Sequence, residues 1–187
     1  MNLVDAIYHR RAIRNYLETP VEDEKIRFVI AAAIQAPTAM NRQPWSFVVV
    51  TDRAALASFG DRARAHMLAT LTESSLLGDY RQMLSSPSYR VFYNAPALIL
   101  ICATAPDAMA KQDCCLAAQN LMLAAHGIGL GTCWIGLAQS WLQRPEGKDA
   151  LKIPADHVAV APLLIGYPAT AYAAPPRHPP HITWIEG

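Results

Sequence analysis

No stretch of this chain is long and apolar enough to cross a bilayer; its longest apolar run is short and interrupted. Nor is there an excess of one charge. Lys+Arg 16 against Asp+Glu 15 gives +1, which argues against nucleic acid as a partner, since phosphate demands a basic surplus. The same balance argues against a polybasic membrane anchor. Asp5 comes early and no apolar h-region follows, so no signal peptide is expected. The four cysteines, Cys102, Cys114, Cys115 and Cys133, show no C-x-x-C spacing. They read as reduced, mostly buried thiols of a cytoplasmic protein. The six histidines are scattered, and neither a Ser-His-Asp set nor a metal cluster is visible. Repeats, low-complexity tracts and linkers are absent too, so residues 1–187 are expected to form one domain.

What is present is a large apolar share, 52%, beside only 17% charged residues. A chain of this size can bury a proper core, and a second subunit is expected to cover part of the apolar surface. The most informative stretch is Ala36-Pro-Thr-Ala-Met-Asn-Arg-Gln-Pro-Trp45. Pro37 and Pro44 fix φ and remove backbone donors, making a stiff loop. Thr38, Asn41, Arg42 and Gln43 crowd it with hydrogen-bonding groups. Such a loop suits a flat, polar-edged ligand; an ordinary surface connection has similar composition. A second concentration is Arg10-Arg11-Ala12-Ile13-Arg14. Read as a continuation of the first helix, Arg10, Arg11 and Arg14 would share a face. A helix C-terminus accounts for one or two cations; three in five residues repel one another unless an anion such as phosphate lies between them.

Along the chain, Asn2 is placed to cap the first helix. Acidic residues after Pro20 open a second, with Ile26, Val29, Ile30, Ala33 and Ile34 at helical spacing. Ser46–Thr51 reads as a buried strand, and Asp52 as the cap of a helix. Leu56 to about Leu84 reads as two helices of poor periodicity, followed by a mobile loop around Ser85–Ser88 that could serve as a lid or be a plain surface excursion. Ala97–Cys102 is a second buried strand, and Asp107 opens a long helix. Cys114–His126 is apolar nearly all round, which predicts a helix covered on all sides, with Gln119 and Asn120 needing partners. Gly127–Gly131 closes that helix. Because these glycines follow a helix and precede Thr132-Cys-Trp-Ile135, they are not a dinucleotide loop; they permit left-handed turns and close approach. Ser140–Ala150 reads as one short helix and Val158–Tyr167 as a third buried strand. The proline-rich tail should be extended, with His181–Ile185 as an edge strand, reaching a partner subunit or simply loose.

Five blocks in order resemble the flavin-dependent nitroreductase family over essentially the whole chain. They are Arg10–Arg14, Ala36–Trp45, Tyr93-Asn94-Ala95-Pro96, Gln119-Asn120-Leu121 with Gly129–Trp134, and Gly166-Tyr167-Pro168 with Pro176-Arg177. The resemblance implies an α+β fold, with a central, mainly antiparallel sheet flanked by helices, in an intertwined homodimer. It implies FMN at the subunit interface, with the C-terminal segment wrapping the other protomer. Arg10, Arg11 and Arg177 would hold the flavin phosphate, and Arg14 would lie near the pyrimidine edge. Pro37, Thr38, Ala39, Asn41 and Gln43 would face the ring, partly from the neighbouring chain. Trp134, Ile135 and Gly136 would run along the ring near its reactive nitrogen.

The implied activity is hydride transfer from NADH or NADPH through FMN, in ping-pong fashion, to a small-molecule oxidant such as a nitroaromatic or quinone. The cofactor carries that chemistry, so no protein nucleophile is needed. The same scaffold also admits reductive dehalogenation, dehydrogenation, flavin cleavage or flavin binding without turnover, and the Leu56–Tyr93 segment would decide among them. His9 and His178 flank the phosphate arginines as helpers or bystanders, and Cys133 is expected to be packing. Ala12 stands where the family usually has serine. One hydroxyl contact is therefore missing from the cofactor cradle, a change of about 0.5–1.5 kcal/mol.

Overall fold

The computed structural model describes residues 1–71, 80–173 and 175–186. Its centre is β2 (Ala97–Ala103), buried along its whole length. Ahead of it in sequence lies β1 (Trp45–Val50), and after it come β3 (Gly131–Trp134) and β4 (Val158–Gly166). The sheet order is β1-β2-β4-β3, every pair antiparallel. A bulge interrupts the β2–β4 register between Ile101 and Cys102.

Side chains alternate across a strand, so the sheet divides its apolar residues between two layers. Ile99, Ile101, Leu163 and Ile165 pack with Val29 and Ala33 of α2 (Asp23–Ala33) and with Leu121 and Ala125 of α5 (Ala108–Gly127). Leu98, Leu100, Cys102 and Leu164 pack with Leu56 and Ala63 of α3 (Arg53–Thr70) and with Trp141 and Leu142 of α6 (Gln139–Leu142). The other α-helices among the described residues are α1 (Leu3–His9), α4 (Arg81–Ser85) and α7 (Pro145–Ala150). Three N-caps form as their residue types dictate. Asn2 accepts from Asp5 N–H at 2.8 Å, Asp52 from Ala54 and Ala55 N–H, and Asp107 from Ala110 N–H at 2.9 Å.

Several expectations change. The arginine block is not helical: α1 stops at His9, and the following residues run extended beside β3. β1 is half-buried rather than buried, because it is the sheet's edge. α5 is not covered all round in the single chain; Cys115, Leu116 and Gln119 form an exposed stripe. Asn120 does find a partner, donating to the Ala32 carbonyl at 3.4 Å. Ser140–Ala150 is two helices, because Pro145 lacks an N–H and Arg144 before it is extended. His181–Ile185 forms no strand in the single chain; Ile182, Trp184 and Ile185 stand exposed. Part of the expected cover, residues 72–79, lies outside the described residues.

Candidate functional site

The arginine block is fixed by backbone pairing. Ile13 N–H donates to the Thr132 carbonyl at 2.9 Å and Leu17 N–H to the Tyr167 carbonyl at 2.9 Å. Isolated bridges join Ala12 to Thr132 and Tyr16 to Pro168. The buried Tyr16 hydroxyl donates to the Ile13 carbonyl at 2.7 Å. Gly131 makes the approach possible, since a Cβ there would meet Ile13 Cγ1 at 2.5 Å. Gly129 supplies the left-handed turn before it, with φ +82.

This pairing delivers Arg14 to the end of β3. Arg14, Tyr89, Tyr93, Trp134, Ile135 and Gly136 share a cleft of ≈ 490 Å³, within the range of about 300–1,000 Å³ usual for small-molecule sites. Burial works against the Arg14 charge, but Cys133, the Tyr93 and Tyr89 phenols and a hydrogen bond to Tyr93 outweigh it and raise its pKa. The Tyr89 and Tyr93 hydroxyls lie 3.3 Å apart with their rings edge to face. Burial, then Tyr93, push the Tyr89 phenol up, so it stays neutral. Cys133 is likewise pushed up by burial despite Arg14 and Arg10 beside it; it is a protonated packing thiol. Tyr93 and Asn94 both have left-handed backbone, φ 49 and φ 53. Non-glycine residues hold that conformation only where their surroundings enforce it. The sequence does not mark Tyr89 or Tyr93 as site residues; the Tyr93-Asn94-Ala95-Pro96 block is the signal it offers.

Arg10 opens the block, at the end of α1. Its charge is disfavoured by burial first, then by Arg11 and Arg177, so cations from both ends of the chain converge there. Arg11 is placed differently from Arg10. Its guanidinium turns back to the Tyr8 and Arg10 carbonyls, both at 2.6 Å, tying off the end of α1. Among the described residues, ion pairs form at Lys25–Glu22, Arg42–Asp107, Arg53–Glu18 and Arg144–Glu146; none neutralises Arg10, Arg11, Arg14 or Arg177. Among the described residues, the buried polar side-chain atoms without a partner are Arg11 Nε, His126 Nε2 and Thr132 Oγ1. All three lie where the arginine block meets β3 and the end of α5. Unpaired guanidinium groups and orphaned donors fit an anionic group such as a flavin phosphate.

The polar loop sits elsewhere. Ala39 N–H donates to both carboxylate oxygens of buried Asp113 at 3.3 Å, and Arg42 pairs with Asp107 at 2.6 Å. Thr38 Oγ1 accepts from Gln43 N–H, and Gln43 Nε2 donates to Asn41 Oδ1 at 3.0 Å. Met40, Asn41 and Gln43 all have left-handed backbone. Pro37 to Gln43 are thus anchored at the start of α5, whereas the arginines sit at its end. Asp113 and His126 are 13 residues apart on that helix, or ~20 Å at 1.5 Å per residue. Within one chain, the two halves of the expected site do not meet.

The chain matches the nitroreductase family over residues 7–167 and belongs to it. A protein of Archaeoglobus fulgidus, whose name pairs NADH dehydrogenase with NAD(P)H nitroreductase, is 37% identical over 116 residues, covering 59% of this chain and 53% of that relative. The match therefore spans about half the length of that relative. A nitroreductase of Desulfitobacterium hafniense solved with bound FMN is 28% identical, with TM-score 0.81 and all of both chains covered. A nitroreductase of Bacteroides fragilis solved with FMN has TM-score 0.85 over all of both chains, at 24% identity, and shows the shared fold.

Proposed function

We propose that this protein is an FMN-dependent NAD(P)H oxidoreductase that reduces nitroaromatic, quinone or related electron-poor small molecules. The carrying observation is that Arg14 lines the cleft with Trp134–Gly136, while Arg10, acted on by Arg177, lies near Cys133 of the same strand; among the described residues none of the three has a carboxylate partner. The nitroreductase with FMN from D. hafniense supports it. When bound, FMN supplies the hydride acceptance and electron delivery. The chain's own part is electrostatic. Arg10 and Arg177 hold the phosphate, and Arg14 stabilises negative charge at the ring's pyrimidine edge. The Ile135 N–H is committed to the Pro162 carbonyl at 2.9 Å, which leaves Gly136 as the backbone donor for the reactive nitrogen. Tyr89 and Tyr93 wall the cleft in which the oxidant stacks.

The working unit is a homodimer. A second copy would bring its Pro37–Gln43 loop over the cleft of the first, closing the ~20 Å gap within one chain. The apolar residues left exposed on α1 (Leu3, Val4, Ile7) and on the tail (Ile182, Trp184, Ile185) are the surfaces a partner would cover. The free thiols of Cys102, Cys114, Cys115 and Cys133 support a cytoplasmic location. Among the described residues, no helix is long and apolar enough to cross a membrane. The test is the absorbance spectrum of the purified protein followed by anaerobic NADH or NADPH. A yellow protein that bleaches supports the reading. A colourless protein that ignores added FMN, or a bound flavin that no nicotinamide bleaches, overturns it.

A further inference from the structure

No sequence motif singled out His126, yet its imidazole faces the arginine block. It lies in the last turn of α5, with Nε2 buried and unpartnered. Beside it a cavity of ≈ 300 Å³ is lined by His9, Arg11, His126, Gly131, Pro168 and Tyr172, with the Met1 end of the chain also reaching it. No carboxylate is among the described residues that line this cavity. The charged groups that face the imidazole come from each neighbouring element: His9 from α1, and Arg10 and Arg11 from the segment after it. Arg177 of the tail acts on Arg10 in turn, and the neutral Cys133 thiol of β3 lies near Arg10. Burial, then Arg10, His9 and Arg11, lower the His126 pKa, so without a ligand the ring is neutral at neutral pH.

This arrangement is self-repelling as it stands. Arg11 Nε and His126 Nε2 are both buried with no acceptor. Arg10 does not line the cavity, but its charge acts on the imidazole more strongly than those of His9 and Arg11; an anion at the edge of the cavity nearest Arg10 would reverse the repulsion and give the orphaned nitrogens an acceptor. The end of α5 itself favours a cation at His126. We propose that His126 is a ligand of a phosphate dianion in this cradle, taking up one proton from solvent as the dianion docks beside Arg10. The inference rests on the FMN reading only for the carrier of the phosphate. The shared chemistry is a phosphate dianion, whether of a flavin mononucleotide or free in solution.

The sign follows from linkage. The docked dianion raises the His126 pKa, so the gain from its proton is full below the unliganded value. It weakens up to tenfold per pH unit as pH climbs from the unliganded to the liganded value. The second ionisation of the phosphate, at about 6, pulls the other way, but it cancels in the ratio of variant to wild-type affinity.

The experiment measures dissociation constants for FMN and riboflavin, by flavin fluorescence, from pH 5.5 to 8.5 on wild type and His126→Gln. It also follows the His126 ring proton by NMR in wild type, with and without FMN or orthophosphate. For FMN, the ratio of variant to wild-type dissociation constant is roughly three- to eightfold at pH 6 and close to one at pH 8.5. For riboflavin it stays near one throughout. The His126 midpoint rises by about one unit on adding either phosphate source. If the variant does not fold, the NMR titration of wild type decides alone. Tight FMN binding with a pH-flat ratio and an unmoved midpoint overturns the His126 proposal and leaves the flavin reading standing. A midpoint that rises with orthophosphate in a protein that never binds FMN keeps the phosphate site and removes the flavin reading.

Discussion

The Ile13 N–H donates to the Thr132 carbonyl at 2.9 Å, and this bond sets the arginine block against the sheet. Gly131→Ala should break the arrangement. The new Cβ would lie 2.5 Å from Ile13 Cγ1 and 3.0 Å from Pro168 Cγ. Overpacking of this kind costs about 1–3 kcal/mol. A lowered melting temperature together with weaker FMN binding is expected. A variant with wild-type stability and FMN affinity would show that the close approach is not needed.

Arg177→Ala should weaken FMN retention while leaving the melting temperature of the flavin-free protein unchanged, because Arg177 is exposed and lies close enough to Arg10 to share its anion. Equilibrium dialysis with FMN measures this. Retention equal to wild type would remove the tail from the site.

Ala12→Ser should tighten FMN severalfold, restoring a hydrogen bond of about 0.5–1.5 kcal/mol. Titration by flavin fluorescence reads it, and equal or weaker affinity counts against the missing-hydroxyl account.

Tyr16 gives a pH dependence at the alkaline end. Its phenol is pushed well above the usual value, by burial first. A group whose folded pKa is raised contributes stability fully below its unfolded value, about 10, and loses it as pH rises beyond that. Wild type should therefore lose stability above about pH 10 more steeply than Tyr16→Phe. The variant should be the less stable at pH 7, since the 2.7 Å bond to the Ile13 carbonyl is gone. Parallel denaturant midpoints across pH 7 to 11 would contradict this.

The readable parts of the sequence were those with local causes. Asn2, Asp52 and Asp107 cap helices because a short polar oxygen reaches backbone N–H groups within three residues. The α2 stripe of Ile26, Val29 and Ala33 is buried as its spacing requires. The glycine block closes α5 and leads into β3 as its order implied. What misled had distant causes. Arg10–Arg14 has helical composition, but the N–H groups of Ile13 and Leu17 find carbonyls more than a hundred residues away. Ser46–Thr51 has the β-branched run of a buried strand, but sheet order makes β1 an edge. The separation of the polar loop from the arginines depends on the length of α5, which no motif carries. His126 and Tyr89 gained importance only through what folding set beside them.

The central claim is that one copy's arginine cradle and another copy's Pro37–Gln43 loop make a single flavin site, and mixed dimers test it most directly. Arg10→Ala removes the cradle, and Asp113→Ala removes the buried carboxylate that holds Ala39 N–H. Each homodimer should retain little FMN. In a heterodimer of the two variants, one site takes both defects and the other takes neither. The measurement is FMN per purified, differentially tagged heterodimer. One tightly bound FMN per heterodimer is the predicted result; no recovery over the two parent homodimers would contradict the shared site.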